Sequence, residues 1–279
     1  MRENLLRLYP QPGGEVAIKG LYLAHQVHKL GGRESPFVYA NFLSSLDGRI
    51  AVENVSQGTS YIPKHLTTAS DFRLFMELHA QADCLITHGG YLRALNQGRL
   101  GNILQIRNKA LIEWRLDNGL SAQPAVIIAS ASLDFPLHER LFGHSQTVYI
   151  ATGKNAGRNR IRHWRDLGYS VLIAGEDRMV QGAPLVQQLS GLGYRGIYLI
   201  AGPQMLDTMI RDKQLSRLYL TITHQLLGGK DFRTLLTGPL LGPEGSLMLE
   251  SMYYDPDSPP GSGQFFMQFA LNRSGGAAS

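Results

Sequence analysis

Four short segments carry residue types that could do chemistry on a small anionic ligand. Ser44-Ser45-Leu46-Asp47-Gly48-Arg49-Ile50 follows a strand expected over Phe37 to Phe42. Ligands of open α/β sheets bind at the carboxyl ends of the strands, where small hydroxyl residues and a glycine let a ligand approach the backbone. Asp47 is the one polar group here placed for a catalytic role; the competing reading is an aspartate that holds an Asp-Gly turn. Thr87-His88-Gly89-Gly90-Tyr91 follows a second apolar run and leads toward a helix. Adjacent glycines before a helix expose backbone N–H groups to a phosphate, although this pair lacks the G-x-G-x-x-G spacing and a plain strand-to-helix turn uses the same residues. At Ile200-Ala201-Gly202-Pro203-Gln204 a strand again ends at a glycine, and Pro203 suits the first turn of a helix continuing through Met205. Two such turns at separate strand ends fit a dinucleotide spread across the sheet edge. Gly153, Lys154, Asn155, Arg158 and Arg160 follow another strand. Basic groups there could hold the 2′-phosphate that separates NADPH from NADH, or simply solvate a helix start.

Other chemistries lack their residues. There is no P-loop, no H-E-x-x-H and no G-x-S-x-G elbow. The single cysteine, Cys84, rules out the zinc cluster of a nucleobase deaminase and any intrachain disulfide, which points to a reducing cytoplasm. Cys84 sits in an apolar run and reads as a buried strand residue. His25 with His28, and His138 with His144, are close in pairs without a third ligand, so no metal site is expected. The net charge of +5 suits an anionic small molecule. The basic residues form no dense run, so nucleic acid is not expected as a partner. No stretch of about 18 apolar residues is present for a membrane span, and the N-terminus has no apolar signal core.

The elements that must position these segments follow from the rhythm of apolar residues. Residues 1–35 read as an irregular leader with a short amphipathic helix near Leu21 to Leu30. Thr68 to Gln81 reads as a helix capped by Thr67 or Thr68, with Phe72, Phe75, Met76 and His79 at helical spacing. Apolar runs at Cys84 to Thr87, Ala125 to Ala129, Thr147 to Ala151, Ser170 to Ala174 and Gly196 to Ala201 read as strands. Helices are expected near Ala156 to Leu167, Ala183 to Leu192 and Gln204 to Asp212. That alternation predicts a mostly parallel sheet flanked by helices. Leu218 to Thr223, Ser246 to Tyr254 and Gln264 to Leu271 have no helices between them and predict antiparallel C-terminal strands. Residues 36–273 read as one domain and 274–279 as a disordered tail.

The ordered segments resemble the reductase family of riboflavin biosynthesis. Tyr39 to Ala51 is similar to its S-L-D-G-x-I-A motif, and Gly58-Thr59-Ser60-Tyr61-Ile62 to its G-x-S-x-W-I segment. Ala80 to Ile86 resembles R-A-x-A-D-A-I-L; Ala201 to Leu206, with Leu215 to Gly229, resembles the G-G-P-x-L turn and its tail. The resemblance implies a dihydrofolate-reductase-like, three-layer α/β/α sandwich, NADPH as hydride donor, and a homodimer. It implies reduction of the ribose of a phosphoribosylaminopyrimidine. It places Leu43, Asp47 and Tyr61 on the nicotinamide side, Ser45 against the cofactor, Ser130 and the turn Gly202, Pro203, Gln204 and Met205 on other parts of the cofactor, and Thr59 on the substrate. The family's arginine before A-x-A-D is His79 here, and its glutamate before the glycine turn is Ile200. Its distal arginine is lost, with Arg93 or Arg99 as stand-ins. Imidazole replaces a bidentate guanidinium poorly. The substrate half is thus less kept than the cofactor half, and the alternatives are a reductase of another pyrimidine- or pterin-like substrate or a non-catalytic nucleotide-binding relative.

Overall fold

The computed structural model describes residues 3–54, 59–137 and 146–271. Gly58, His138, His144 and the expected tail lie outside them. In chain order the elements are β1 (Asn4–Tyr9), β2 (Gly14–Ala17), β3 (Phe37–Ser45), β4 (Ala51–Asn54), β5 (Thr59–Tyr61), α1 (Ala69–His79), β6 (Cys84–His88), α2 (Gly89–Asn96), α3 (Lys109–Asp117) and β7 (Ala125–Ala129). They continue with β8 (Val148–Thr152), α4 (Arg158–Asp166), β9 (Ser170–Ile173), α5 (Gly182–Gly191), β10 (Gly196–Leu199), α6 (Pro203–Arg211), β11 (Leu215–Thr223), β12 (Phe232–Arg233), β13 (Leu247–Asp255) and β14 (Gln264–Leu271). The chain forms two compact units, each assembled from separated stretches.

The first unit comprises Met1–His25, Tyr39–Glu77 and Leu215–Ser279. Its strands lie in the order β2-β1-β13-β14-β11-β3, and β12-β4-β5 form a small second sheet. β11, β14 and β13 pair antiparallel, as the helix-free C-terminal stretch predicts. The first residues are not irregular: β1 pairs with β13 and with β2. Leu5 and Ile18 are buried there. The Glu77 carboxylate accepts from the N–H groups of Gly20 (2.7 Å) and Tyr22 (2.9 Å), fastening the segment that follows β2. The helix expected over Leu21 to Leu30 is two short 3₁₀ turns, Leu23–His25 and Val27–Lys29, broken at Gln26, whose φ of 48° no α-helix accommodates. Thr68 caps α1, its hydroxyl accepting from Asp71 N at 3.0 Å. The buried face of α1 differs from the expected one: Leu74 and Leu78 are buried while Phe72 is exposed.

The second unit comprises Gln26–Val38 and Leu78–Gln214. Its strands run β10-β6-β7-β8-β9, every neighbouring pair parallel. Val126, Ile127 and Ile128 of β7 and Leu85 and Ile86 of β6 are fully buried, the continuous apolar reading of strands covered on both faces. Cys84 is buried as expected, and burial pushes its thiol well up from the ordinary range. Parallel strands and intervening helices make this an α/β fold. Among the described residues no helix is long and apolar enough to cross a membrane.

Candidate active site

In the first unit, β3 ends in a turn that its own residues lock. Ser45 N donates to Arg49 O, Gly48 N to Ser45 O, and Gly48 sits at φ 79°, where a side chain would be strained. The Asp47 carboxylate accepts from Ser45 Oγ (2.5 Å) and Arg49 Nη1 (2.5 Å). It also accepts from the backbone N–H groups of Leu227 (3.2 Å) and Gly228 (3.0 Å). Arg49 Nη2 donates to Gly229 O at 3.0 Å, and its guanidinium lies 4.3 Å over the Phe232 ring. These bonds, the Ser45 hydroxyl first and then the Gly228 N–H, hold the Asp47 carboxyl down at about 2. Asp47 is therefore a carboxylate at neutral pH with no proton to give, and its oxygens fasten the 227–229 loop. This geometry matches the turn-holding reading. Leu43 is half-buried on β3, and Tyr61 is 53% exposed at the end of β5. Thr59 pairs its backbone with Asn54.

In the second unit, the two glycine turns meet at one residue, His88, to which its sequence neighbours assign no role. His88, the last residue of β6, is the N-cap of α2 and gives it no side-chain cap; Gly202 caps α6, likewise without a side-chain bond. A Cβ on Gly90 would stand 2.8 Å from His88 Nδ1, and one on Gly202 would stand 3.8 Å from His88 Nε2. The imidazole thus lies between the turns. A Cβ on Gly89 would meet Phe135 Cδ1 at 2.9 Å and Ser130 Oγ at 3.2 Å. Thr87 is buried, and its hydroxyl has no hydrogen-bond partner among the described residues. Two helix N-termini without side-chain caps and an orphaned hydroxyl beside them supply donors of the kind that a pyrophosphate takes. These residues fit a dinucleotide.

Ser130 serves its own loop. Its hydroxyl accepts from Leu133 N (3.0 Å), and its carbonyl accepts from Thr152 Oγ1 (2.7 Å). Leu133 is left-handed at φ 53°, pinned by Trp164 Nε1 on its carbonyl at 3.1 Å. Arg93 Nη1 donates to Asp134 O at 2.6 Å. Pro203 occupies the first turn of α6, Gln204 is exposed there, and Met205 N donates to Gly202 O. Lys154 faces Glu176 on the loop after β9, 3.5 Å off, both largely exposed.

The substrate candidates fare differently. His79 is fully buried against Tyr198, with ring centroids 6.4 Å apart. Burial first, and the nearby Arg115 charge second, hold its imidazole down at about 3. A neutral, enclosed ring cannot grip a sugar phosphate, so that expectation is corrected: His79 is a core residue. The buried cation beside it is Arg115 of α3, which donates to Ala80 O (2.9 Å), Ala82 O (2.7 Å) and Ser121 O (2.7 Å). Arg99 is exposed, and both its Nε and Nη2 bond Gln97 Oε1.

The chain is similar to the 2,5-diamino-6-ribosylamino-4(3H)-pyrimidinone 5′-phosphate reductase of Archaeoglobus fulgidus, at 22% identity over 203 residues, 73% of this chain and 87% of that protein. The protein of the same name from Methanothermobacter thermautotrophicus is 24% identical over 203 residues, 73% of this chain and 84% of its own. Among solved structures, a pyrimidine reductase-like protein from Corynebacterium diphtheriae shares the fold with a TM-score of 0.64 at 19% identity, over 85% of this chain and 92% of that one. The family model for the RibD C-terminal domain matches residues 36–250. That match spans both glycine turns, the Ser45–Arg49 turn and the strands that carry them, and the chain belongs to the RibD C-terminal domain family.

Proposed function

We propose that this chain is a reductase that uses NADPH to reduce the sugar carbonyl or imine of a phosphoribosylamino-pyrimidine. The observation that carries the reading is the family match over residues 36–250, together with two relatives named as reductases of the diaminopyrimidinone phosphate. The dinucleotide would supply the hydride. The chain's own residues bind and orient. The open N–H groups of α2 and α6, with Gly89, Gly90 and Gly202 at their entrances and Thr87 and His88 beside them, would hold the pyrophosphate. Leu43, Ser45, Tyr61 and Thr59 keep the roles that the resemblance implies. Asp47 is a positioning residue that keeps the Ser45–Arg49 turn in one shape. A homodimer belongs to the same proposal, on the resemblance alone, and light scattering of the purified chain tests it.

The test is a fluorescence titration with NADPH, then single-turnover oxidation with the diaminopyrimidinone phosphate and, separately, with its deaminated uracil counterpart. We expect tight NADPH binding and faster oxidation with the diamino compound, the form named in both relatives. Binding without oxidation by either would redirect the search to another pyrimidine- or pterin-like substrate. Absence of dinucleotide binding would sink the proposal.

A further inference from the structure

The start of α1 is fastened to the ends of three strands in the first unit. Thr223 Oγ1 of β11 donates to Leu66 O (3.2 Å), Gln264 Nε2 of β14 donates to Thr68 Oγ1 (2.9 Å), and Ser70 Oγ donates to Asp255 Oδ2 at the end of β13 (2.8 Å). Leu46 N donates to Gln225 O, so β3 and β11 end side by side and the Ser45–Arg49 turn lies at the same edge. These polar side chains find their partners inside the fold; Asp71 is the exception. It is 9% exposed and shares a hydrogen bond with Thr221, yet its Oδ1 has no partner among the described residues. A carboxylate in the first turn of a surface helix is ordinary, because the helix dipole favours it. A buried one with an idle oxygen is not, because the cost of stripping its water goes uncompensated. Burial pushes this carboxyl up to about 6, so at neutral pH it is mostly ionised and short of donors. Phe75, one turn further along α1, shares the helix face of Asp71, is half-buried, and stacks on the exposed Phe72 at 6.1 Å. A flat ring bonded to Asp71 by its edge has an aromatic surface to lie against.

The missing donor is an N–H, and a carboxylate has room for two side by side. In a 2-amino-4(3H)-pyrimidinone the ring N3–H and the 2-amino group form that pair. In a uracil the 2-position is a carbonyl, whose oxygen would face a carboxylate oxygen and be repelled. The ribosylamino group sits across the ring from this edge, so the contact leaves the sugar free for reduction. We propose that Asp71 binds the N3–H and 2-amino edge of the pyrimidinone and so selects the diamino substrate against its deaminated counterpart. The inference rests on the reading that the chain reduces a phosphoribosylamino-pyrimidine.

The experiment uses the full chain with saturating NADPH and measures kcat and KM for the diaminopyrimidinone phosphate and for its uracil counterpart, on wild type and on Asp71→Asn. An asparagine amide offers one acceptor and one donor, which match the N3–H and the 2-carbonyl of the uracil. Wild type should favour the diamino compound. Asp71→Asn should raise the KM for that compound at least about tenfold, lower the KM for the uracil and so reverse the preference. Ser70→Ala disturbs the same turn through Asp255; it should lower the melting temperature and keep the preference. A second measurement needs no variant: calorimetric titration of the wild-type NADPH complex with 2,6-diamino-4(3H)-pyrimidinone and with 6-aminouracil, which differ only at the 2-position. The diamino ring should bind at least about tenfold tighter. If wild type turns over the diamino compound but Asp71→Asn keeps the wild-type preference, or if the two bare rings bind alike, Asp71 does not read the ring while the reductase reading stands. A wild type that favours the uracil also contradicts the assignment. If wild type oxidises NADPH with neither phosphate, the reductase reading itself fails and takes the assignment with it.

Discussion

Two aspartates of the first unit sit at opposite ends of the carboxylate range, and each has a measurable consequence. Asp47, held at about 2 by hydrogen bonds, has a folded pKa below its unfolded value near 3.9. The stability it contributes is therefore present above about pH 4 and is lost as pH falls through about 2. Asp47→Asn keeps the shape but removes the charge that the Leu227 and Gly228 N–H groups face. Their amide hydrogen exchange should quicken by roughly tenfold, and a variant with unchanged protection would show that the loop holds itself. Asp71 is the reverse case. Burial pushes its carboxyl up to about 6, against a hydrogen bond with Thr221 that lowers it, and Oδ1 has no hydrogen-bond partner among the described residues. A carboxyl with a raised folded pKa contributes stability in full below about pH 4 and loses it as pH rises through about 6. Asp71→Asn should thus stabilise the protein near neutral pH by on the order of 2 kcal/mol, with the gap closing in acid. Chemical denaturation at the two pH values reads it; a gap that does not vary with pH contradicts the assignment. Arg115 makes a third case. Its guanidinium satisfies three carbonyls from inside the fold. Arg115→Met should cost about 3 kcal/mol or more in urea unfolding, because those carbonyls would be left buried without donors.

The strand-end turns act as elements rather than as single residues. β6 and β10 end side by side, so the glycines after each open onto His88 from two directions. Adding one methyl tests how tight that arrangement is. Gly89→Ala would push against Phe135, which stacks on Trp164 at 4.8 Å, and against Ser130 Oγ, which anchors Leu133 N. Overpacking of this kind costs about 1–3 kcal/mol. The expected result is a lowered melting temperature together with weaker dinucleotide binding; an unchanged affinity would place the phosphates elsewhere. These turns were legible before the structure because glycine and proline after an apolar run mark a strand end locally. α3 was not legible: among its nine residues only Arg115 is buried, so it carries no apolar stripe for a periodicity argument to find. β4, β5 and β12, two to four residues each, are likewise too short to show alternation.

At the scale of the whole chain, the N-terminal residues are part of the first unit. β1 covers the edge of β13 and buries Leu5, while Ile18 is buried just beyond β2. Deleting residues 1–19 would bare that edge and remove two buried side chains worth about 1.5–3 kcal/mol each. The shortened chain should melt lower and aggregate through the exposed strand, as light scattering during a thermal ramp would report. A melt equal to that of the full chain would return this segment to the status of a leader.

The amino-acid sequence by itself determined the parallel strands of the second unit, the antiparallel C-terminal strands, the start of α1 to within one threonine and the two glycine turns. Each depends on residues close together along the chain: continuous apolar runs, a threonine before a helix, a glycine after a strand. The ordered motifs also pointed to the family. Only the tertiary structure decided what depends on residues brought together from far apart. Asp47 became a fastener because Leu227 and Gly228, some 180 positions on, supply its N–H groups. His79 left the substrate list because its helix end is enclosed beside Tyr198 and Arg115. Arg178 lines the same cleft as Arg158 because the loops after β8 and β9 share three backbone bonds that no local pattern announces. Burial and long-range hydrogen bonding set the charge state and reach of a side chain, and neither can be read from its neighbours in sequence.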